Sequence, residues 1–244
     1  IGKKAAKELF HYMDRDLTNK VIYGEIRNLC DYSSFKDIFS EFGWGFQPHL
    51  NFHLDCSSET RVWQNLNNNR SRQIKKALKV GVTISEAVNL DEVTAFYNIL
   101  LDLYRNKIKK PLFPFEFFKK FFENNLGKYL LVWYKGEIIG GIQCPILWNK
   151  VIYEFYICGK DLEYKEASPS VMATFAAIEY GVKHNLKYFD FMGAGKPDED
   201  YGVRDFKAKF GGELIGYGRF LRVFNPLLFS MGKKALRVLK KIKK

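Results

Sequence analysis

Residues 187–218 limit the fold more than any other part of this 244-residue chain. Tyr188, Phe189, Asp190, Phe191 and Met192 alternate at the two-residue period of a strand, which stops at Gly193-Ala-Gly-Lys-Pro. An acidic turn, Asp198-Glu-Asp, leads into Val203-Arg-Asp-Phe-Lys-Ala-Lys-Phe-Gly-Gly. The pattern predicts a buried strand, a glycine-rich loop, a short helix carrying Phe206 and Lys207, and a glycine exit into another strand. Gly193 and Gly195 permit close backbone approach to a ligand, so the loop, with Asp190 at its start and Lys196 at its end, is a candidate substrate wall.

Upstream, the chain reads as mixed α and β. A strand is expected over 83–88, a helix over 91–107 behind the polar Asn89 turn, and a second helix over 115–124 after Pro111 and Pro114. Strands follow over 129–134, 138–147 and 151–158, rich in β-branched and aromatic residues and joined by turns at Lys135-Gly136 and Trp148-Asn149, as in an antiparallel meander. Ser168-Pro169 opens a helix to about His184, with serine as cap and proline in the first turn. In the strand at 151–158, Glu154, Tyr156 and Cys158 share one face and Tyr153, Phe155 and Ile157 the other.

The formal net charge of +12 favours anionic partners: phosphates, nucleic acid or an acidic membrane face. Two segments concentrate it. Over 60–85 there are six basic residues and no acid, while Trp63, Leu66, Ile74, Ala77 and Leu78 recur at near-helical spacing. Either this helix is simply solvated on its cationic face, or Arg70, Arg72 and Lys75 meet phosphates. At the C-terminus, Phe224, Leu227, Leu228, Met231, Ala235, Val238, Leu239 and Ile242 trace one face, opposite Lys233, Lys234, Arg237, Lys240, Lys241 and Lys244. That is the pattern of an interfacial helix, with an anionic membrane surface as candidate partner; a terminal helix capping its domain is the competing account. No run of 18 apolar residues occurs, and the start lacks the apolar core of a secretory signal. The expected location is cytoplasmic, either free or peripheral on the inner face of the membrane.

Cys30, Cys56, Cys144 and Cys158 lack C-x-x-C spacing and read as small buried side chains of a reducing compartment. His11, His49, His53 and His184 have no zinc-like spacing to cysteine or carboxylate, so no metal site is expected.

Phe-Asp-Phe, the glycine-rich break and Asp205-Phe-Lys-Ala-Lys-Phe-Gly-Gly resemble the FemABX peptidyltransferases, members of the wider GNAT N-acyltransferase superfamily. The segment from Trp63 to Val82 resembles the basic helix between the two acyltransferase-like halves of those proteins. The resemblance covers roughly residues 48–220. It implies an α+β, GNAT-like fold, with a mixed, largely antiparallel sheet flanked by helices. It also implies a division into a partial first lobe (1–81, ending in the basic helix), a complete acyltransferase domain (82–222) and a basic amphipathic C-terminal helix (223–244). Because the chain starts at Ile1 and the family's first half is usually longer, an N-terminal piece is expected to be missing or replaced.

In chemistry of this type an acceptor amine attacks an activated acyl carbonyl directly, so positioning, an oxyanion donor and a proton route suffice. Glu154 is the candidate base and Tyr156 the candidate proton donor; a strand with one polar face explains them equally well. The resemblance makes Lys207 the residue that neutralises developing charge or binds a phosphate, with Phe206 packed against the substrate and Lys209 as neighbouring cation. The Arg/Gln-x-x-Gly-x-Gly/Ala coenzyme A cradle of the superfamily's acetyltransferases is replaced here by Gly159-Lys-Asp-Leu-Glu-Tyr-Lys-Glu-Ala-Ser-Pro-Ser. That substitution favours aminoacyl-tRNA as donor over acyl-CoA, with no tightly bound cofactor. The expected activity is transfer of an aminoacyl or other acyl group to an amine of a lipid-linked or nucleotide-linked cell-envelope precursor, peptidoglycan precursor first. Two alternatives stand beside it: an acyl-CoA-dependent sugar N-acyltransferase of polysaccharide synthesis, and a non-catalytic basic module that binds nucleic acid or membrane.

Overall fold

A computed structural model describes residues 2–242, and within the last helix it describes no side chain for Arg237 or residues 239–242. The contributions of Arg237, Leu239, Lys240, Lys241, Ile242 and Lys244 to the amphipathic C-terminal pattern therefore lie outside the described residues, as does the starting Ile1.

In chain order the first elements are α1 (Lys3–Leu17), β1 (Tyr23–Arg27), α2 (Lys36–Glu41), β2 (Gly45–Gln47), β3 (Asn51–Asp55), α3 (Glu59–Asn65), α4 (Asn68–Lys79) and β4 (Thr83–Glu86). Then come α5 (Leu90–Leu103), α6 (Phe115–Glu123), β5 (Gly127–Tyr134), β6 (Glu137–Leu147), β7 (Val151–Tyr153), β8 (Tyr156–Gly159) and α7 (Pro169–Lys183). The last are β9 (Tyr188–Asp190), α8 (Gly202–Ala208), β10 (Glu213–Ile215), β11 (Arg219–Val223) and α9 (Pro226–Ile242). The architecture is α+β, and among the described residues every strand pairing but one is antiparallel.

Packing divides the chain into two compact units: Ile1–Leu50, Lys196–Glu199 and Gly216–Lys244; and Asn51–Gly195 with Asp200–Ile215. These bounds differ from those of the lobes read from sequence, because β3, α3 and α4 pack with the larger unit. The smaller unit holds a three-stranded sheet in the order β1-β11-β2. Its core gathers Phe10, Ile38, Phe39, Phe42, Trp44 and Phe220, with the Phe39 and Phe220 rings stacked 3.6 Å apart. None of these sheet partners is adjacent in sequence, so periodicity did not reveal them.

The larger unit holds a sheet in the order β10-β3-β9-β7-β6-β5-β4, with β8 also on β6. Helices α5 and α6 pack Val93, Phe96, Leu100, Phe118 and Phe121 against Tyr129, Leu131 and Cys158. Helix α5 begins as its sequence predicts: the Asn89 side chain accepts from the Glu92 amide (2.9 Å) and Glu92 reaches back to the Val88 amide (2.7 Å), a reciprocal cap. Lys135 and Gly136, at φ 53° and 80°, make the tight turn between β5 and β6.

Four local expectations are corrected. The basic segment is two helices, broken at Leu66-Asn67, where the Asn67 side chain caps α4 through the Asn69 amide. The strand expected over 151–158 is broken after Tyr153, so the alternation that placed Glu154 and Tyr156 on one face does not hold. Ser168 does not cap α7: it sits at φ 47° with no side-chain cap bond, and Asp161 accepts from both the amide and the hydroxyl of Ser170 instead. Cys30 is exposed, whereas Cys56, Cys144 and Cys158 are buried thiols as expected.

Gly211 marks the exit from α8. It has φ 85°, and a Cβ there would overlap the backbone carbonyl of Asn65. Gly211→Ala combines an unfavourable φ with a clash against backbone that cannot move cheaply, and is expected to destabilise by about 2 kcal/mol in chemical denaturation.

Candidate active site

The single parallel pairing in the larger sheet sets up the site. Strands β7 and β9 run side by side, with Ile152 opposite Phe189 and Tyr153 opposite Asp190. One residue later the Glu154 amide still donates to the Asp190 carbonyl (2.9 Å), but the Phe155 amide turns to the Gln143 carbonyl of β6 (3.1 Å). From there β8 follows β6, while the chain after Asp190 enters the glycine loop. The two strands part, and Glu154 stands where they separate.

Lys207 of α8 reaches into that fork. Its Nζ lies 2.8 Å from Glu154 Oε1, 2.5 Å from the Phe191 carbonyl and 3.0 Å from the Gly193 carbonyl. An ammonium has three N–H donors, so all are in use. Lys207 and Glu154 are 7% and 6% exposed, and Glu154 Oε2 is buried without a hydrogen-bond partner among the described residues. A buried carboxylate oxygen lacking a donor costs free energy, and it is a ready acceptor for a proton or an N–H brought by a substrate.

Asp190 fixes the loop. Fully buried, it accepts through Oδ1 from Asn51 Nδ2 (2.7 Å) and the Met192 amide (2.6 Å), and through Oδ2 from His53 Nε2 (3.1 Å). A carboxylate only accepts, so Nε2 of His53 carries the proton. Asn51 continues the network, its Oδ1 accepting from the Phe52 (2.8 Å) and Gly193 (2.7 Å) amides. This network holds Met192 at φ 59°, a left-handed conformation that a non-glycine residue rarely adopts. Gly193 is therefore tied on both sides, and Gly195 lies under the Tyr201 ring, which a Cβ would strike.

The residues singled out from sequence thus fall into three groups. Lys207, Glu154, Asp190 and Gly193 converge. Arg70 and Phe206 form a staple: the buried guanidinium lies 4.5 Å from the Phe206 and Phe210 ring centroids and donates to the Phe206 carbonyl (3.0 Å) and Gln73 Oε1 (2.8 Å). Burial pushes the Arg70 pKa down to about 10. Arg70 is therefore committed to packing rather than to a phosphate, and it points inward while Arg72 and Lys75 are exposed on the other side of α4. Tyr156 is separated from Glu154 by the strand break and packs against Tyr104 and Phe118. Lys196 is exposed and pairs with Glu199 (3.4 Å), and Lys209 is exposed. Asn51, His53 and Asp161 were missed. No spacing links Asn51 or His53 to residue 190; Asp161 lay in the segment that replaces the coenzyme cradle. Among the described residues, no group of three or more His, Cys, Asp or Glu side chains could hold a metal ion.

Residues 64–207 match the model of the acetyltransferase (GNAT) domain. The chain belongs to the GNAT family. It is an acyltransferase, and its reaction requires an acyl donor. No curated protein matches it by sequence. Solved structures that share the fold of this GNAT chain include the following three. FemX has a TM-score of 0.74 at 13% identity, covering 94% of this chain and 79% of that one. L-PGS from Bacillus licheniformis gives 0.62 at 12% identity, covering 91% and 73%. The C-terminal domain of a putative lysylphosphatidylglycerol synthetase from Agrobacterium fabrum gives 0.61 at 12% identity, covering 84% and 70%. The FemABX resemblance drawn from residues 187–218 is thus matched at the level of fold by FemX.

Proposed function

We propose that this GNAT chain transfers an aminoacyl group from a tRNA ester to an amine of a lipid-linked or nucleotide-linked cell-envelope precursor, a peptidoglycan precursor being the first candidate. The observation that carries the reading is the unpartnered Glu154 Oε2 at the fork of β7 and β9, held in place by Lys207. The acceptor amine donates an N–H to this oxygen and attacks the acyl carbonyl. The new C–N bond forms, the ester C–O bond breaks, the amine proton passes to Glu154, and the leaving hydroxyl takes up a proton. Lys207 is a positioning residue in this scheme, because its three donors hold the carboxylate and the loop carbonyls rather than a phosphate.

The donor assignment is supported by α7. A helix N-terminus attracts anions, but here Asp161 already accepts from the Ser170 amide. A pyrophosphate would have to displace a carboxylate of its own charge. This disfavours acyl-CoA, and with it the sugar N-acyltransferase alternative. The similar folds of FemX, whose name accords with the FemABX resemblance of the sequence, and of a putative lysylphosphatidylglycerol synthetase support a cell-envelope and aminoacyl reading. Helix α9 fits the same setting: Leu227, Leu228, Met231 and Val238 are exposed large apolar residues beside Lys233 and Lys234, and no helix among the described residues is long and apolar enough to cross a membrane. We assign this face to an anionic lipid surface.

The test offers labelled aminoacyl-tRNA or acyl-CoA with a lipid-linked muropeptide in anionic vesicles. The expected result is acceptor-dependent loss of label from the tRNA and none from acyl-CoA. Label lost from acyl-CoA alone moves the assignment to the sugar-type enzyme, and label retained by both leaves the binding module.

A further inference from the structure

The connection between α5 and α6 carries charge that its own sequence does not balance. Helix α5 runs into a single π turn, Tyr104–Ile108, and from there to Phe115 the chain holds Arg105, Lys107, Lys109 and Lys110 and no acid. All four cations are exposed, and none forms an ion pair among the described residues. The acids that flank the connection are already engaged: Asp102 accepts from Asn106 Nδ2 (2.6 Å), and Glu116 lies 3.8 Å from Lys120. Four uncompensated cations on one short connection attract a polyanion.

The rings beside them are an independent observation. Phe113 is 53% exposed and stacks on Phe117 of α6 (4.8 Å between centroids); Phe117 lies 6.2 Å from Phe155, and Phe155 5.1 Å from Tyr156. Phe155 is itself 38% exposed and directly follows Glu154. The row of rings therefore runs from the basic connection to the residue next to the buried carboxylate. Its backbone is fixed in advance: Pro111 and Pro114 restrict the chain on both sides of Phe113, the Tyr97 hydroxyl donates to the Phe113 carbonyl (3.4 Å), and the Phe155 amide donates to the Gln143 carbonyl of β6 (3.1 Å). Cations that track phosphates, set beside aromatic faces on which bases stack, are the components of a site for unpaired nucleic acid. A duplex or a lipid surface would meet the charges, but only an unpaired strand has free base faces for the rings.

We propose that the α5–α6 connection binds the single-stranded end of the RNA donor, its phosphates on Arg105, Lys107, Lys109 and Lys110 and its last bases on Phe113 and Phe155. The proposal deepens the transfer reading and rests on it for the place where the strand ends, with its ester beside Glu154. The probe is a short, non-acylated single-stranded RNA ending in 2-aminopurine, titrated into the whole chain and followed by its fluorescence. Saturable quenching is expected, weakened about tenfold in Phe113→Ala and restored in Phe113→Trp. Lys107→Gln/Lys109→Gln/Lys110→Gln is expected to reduce the steepness of log affinity against log salt by about 2. Absence of saturable quenching at about 100 μM RNA, undiminished binding in Phe113→Ala, or a charge variant that loses affinity for phosphatidylglycerol vesicles and not for the RNA overturns the proposal. The probe carries no acyl group and no acceptor is present, so the two readings fail separately. Quenching as expected without any label transfer leaves the strand site standing and removes the transfer reading, whereas transfer whose KM for aminoacyl-tRNA is unchanged in Phe113→Ala removes the strand site alone.

Discussion

Lys207→Met is expected to lower stability by about 3–5 kcal/mol, because it leaves the Glu154 carboxylate buried with no cation. For a chain of this size that corresponds to a fall in melting temperature of roughly 6–20 °C. The larger loss comes from the stranded charge rather than from the missing attraction, so the double variant Lys207→Met/Glu154→Leu is expected to recover most of the stability. Transfer activity is not expected to return with it, since the acceptor for the amine proton is gone. Scanning calorimetry and a single-turnover transfer assay on the same three proteins separate the two effects. A single variant that melts within about 1 °C of the parent rules out the buried pair as described, and a double variant that regains both stability and activity removes Glu154 from the chemistry.

Asp190→Ala is expected to cost about 3–4 kcal/mol. It strips the acceptor from Asn51 Nδ2, the Met192 amide and His53 Nε2 at once, and hydrogen bonds to a charged group contribute about 1.5–3 kcal/mol each before their mutual dependence is discounted. Met192 is then no longer held at its left-handed φ, and the loop that presents the Gly193 carbonyl to Lys207 loosens. Asp190→Asn keeps the shape and one acceptor oxygen, and is expected to lose about half as much. Thermal melting ranks the two, and amide exchange localises the effect: faster exchange at Met192 and Gly193 with little change in β5 and β6 is the expected pattern. A uniform increase across the larger unit contradicts a local role.

The elements that sequence made legible are those with local causes. The Asn89–Glu92 cap, the Lys135-Gly136 turn and the aromatic alternation of β5 and β6 are written in neighbouring residues, and helices and strands stand there within a few positions of expectation. Where partners are remote, pattern was silent or misleading. Nothing in 151–158 punctuates the strand at Glu154. The break exists because β9 claims the backbone on one side and β6 claims it on the other. Arg70 reads as one cation among six, and only Phe206 of α8, 136 positions away, with Phe210 just beyond the helix, gives it two rings and a carbonyl to turn toward. At Ser168 a Ser-Pro start satisfies the local rule, yet Asp161 reaches across a nine-residue separation and takes the capping role. The site shows the same divide: Lys207 and Glu154 were each singled out from their own segments, but their pairing, and the Asn51 and His53 support beneath Asp190, needed the sheet order.

The pairing of β1 with β11 sets a schedule for synthesis. Tyr23 lies opposite Val223 and Arg27 opposite Arg219, so β1 has no partner strand among the described residues until about 200 further residues exist. Residues 51–215, which contain every strand of the larger sheet, emerge in between. Closing so long a span carries an entropic penalty that local pairings avoid. β1 is therefore made long before it can pair, and an interrupted ribosome leaves the larger unit formed while β1 still lacks its partner strand.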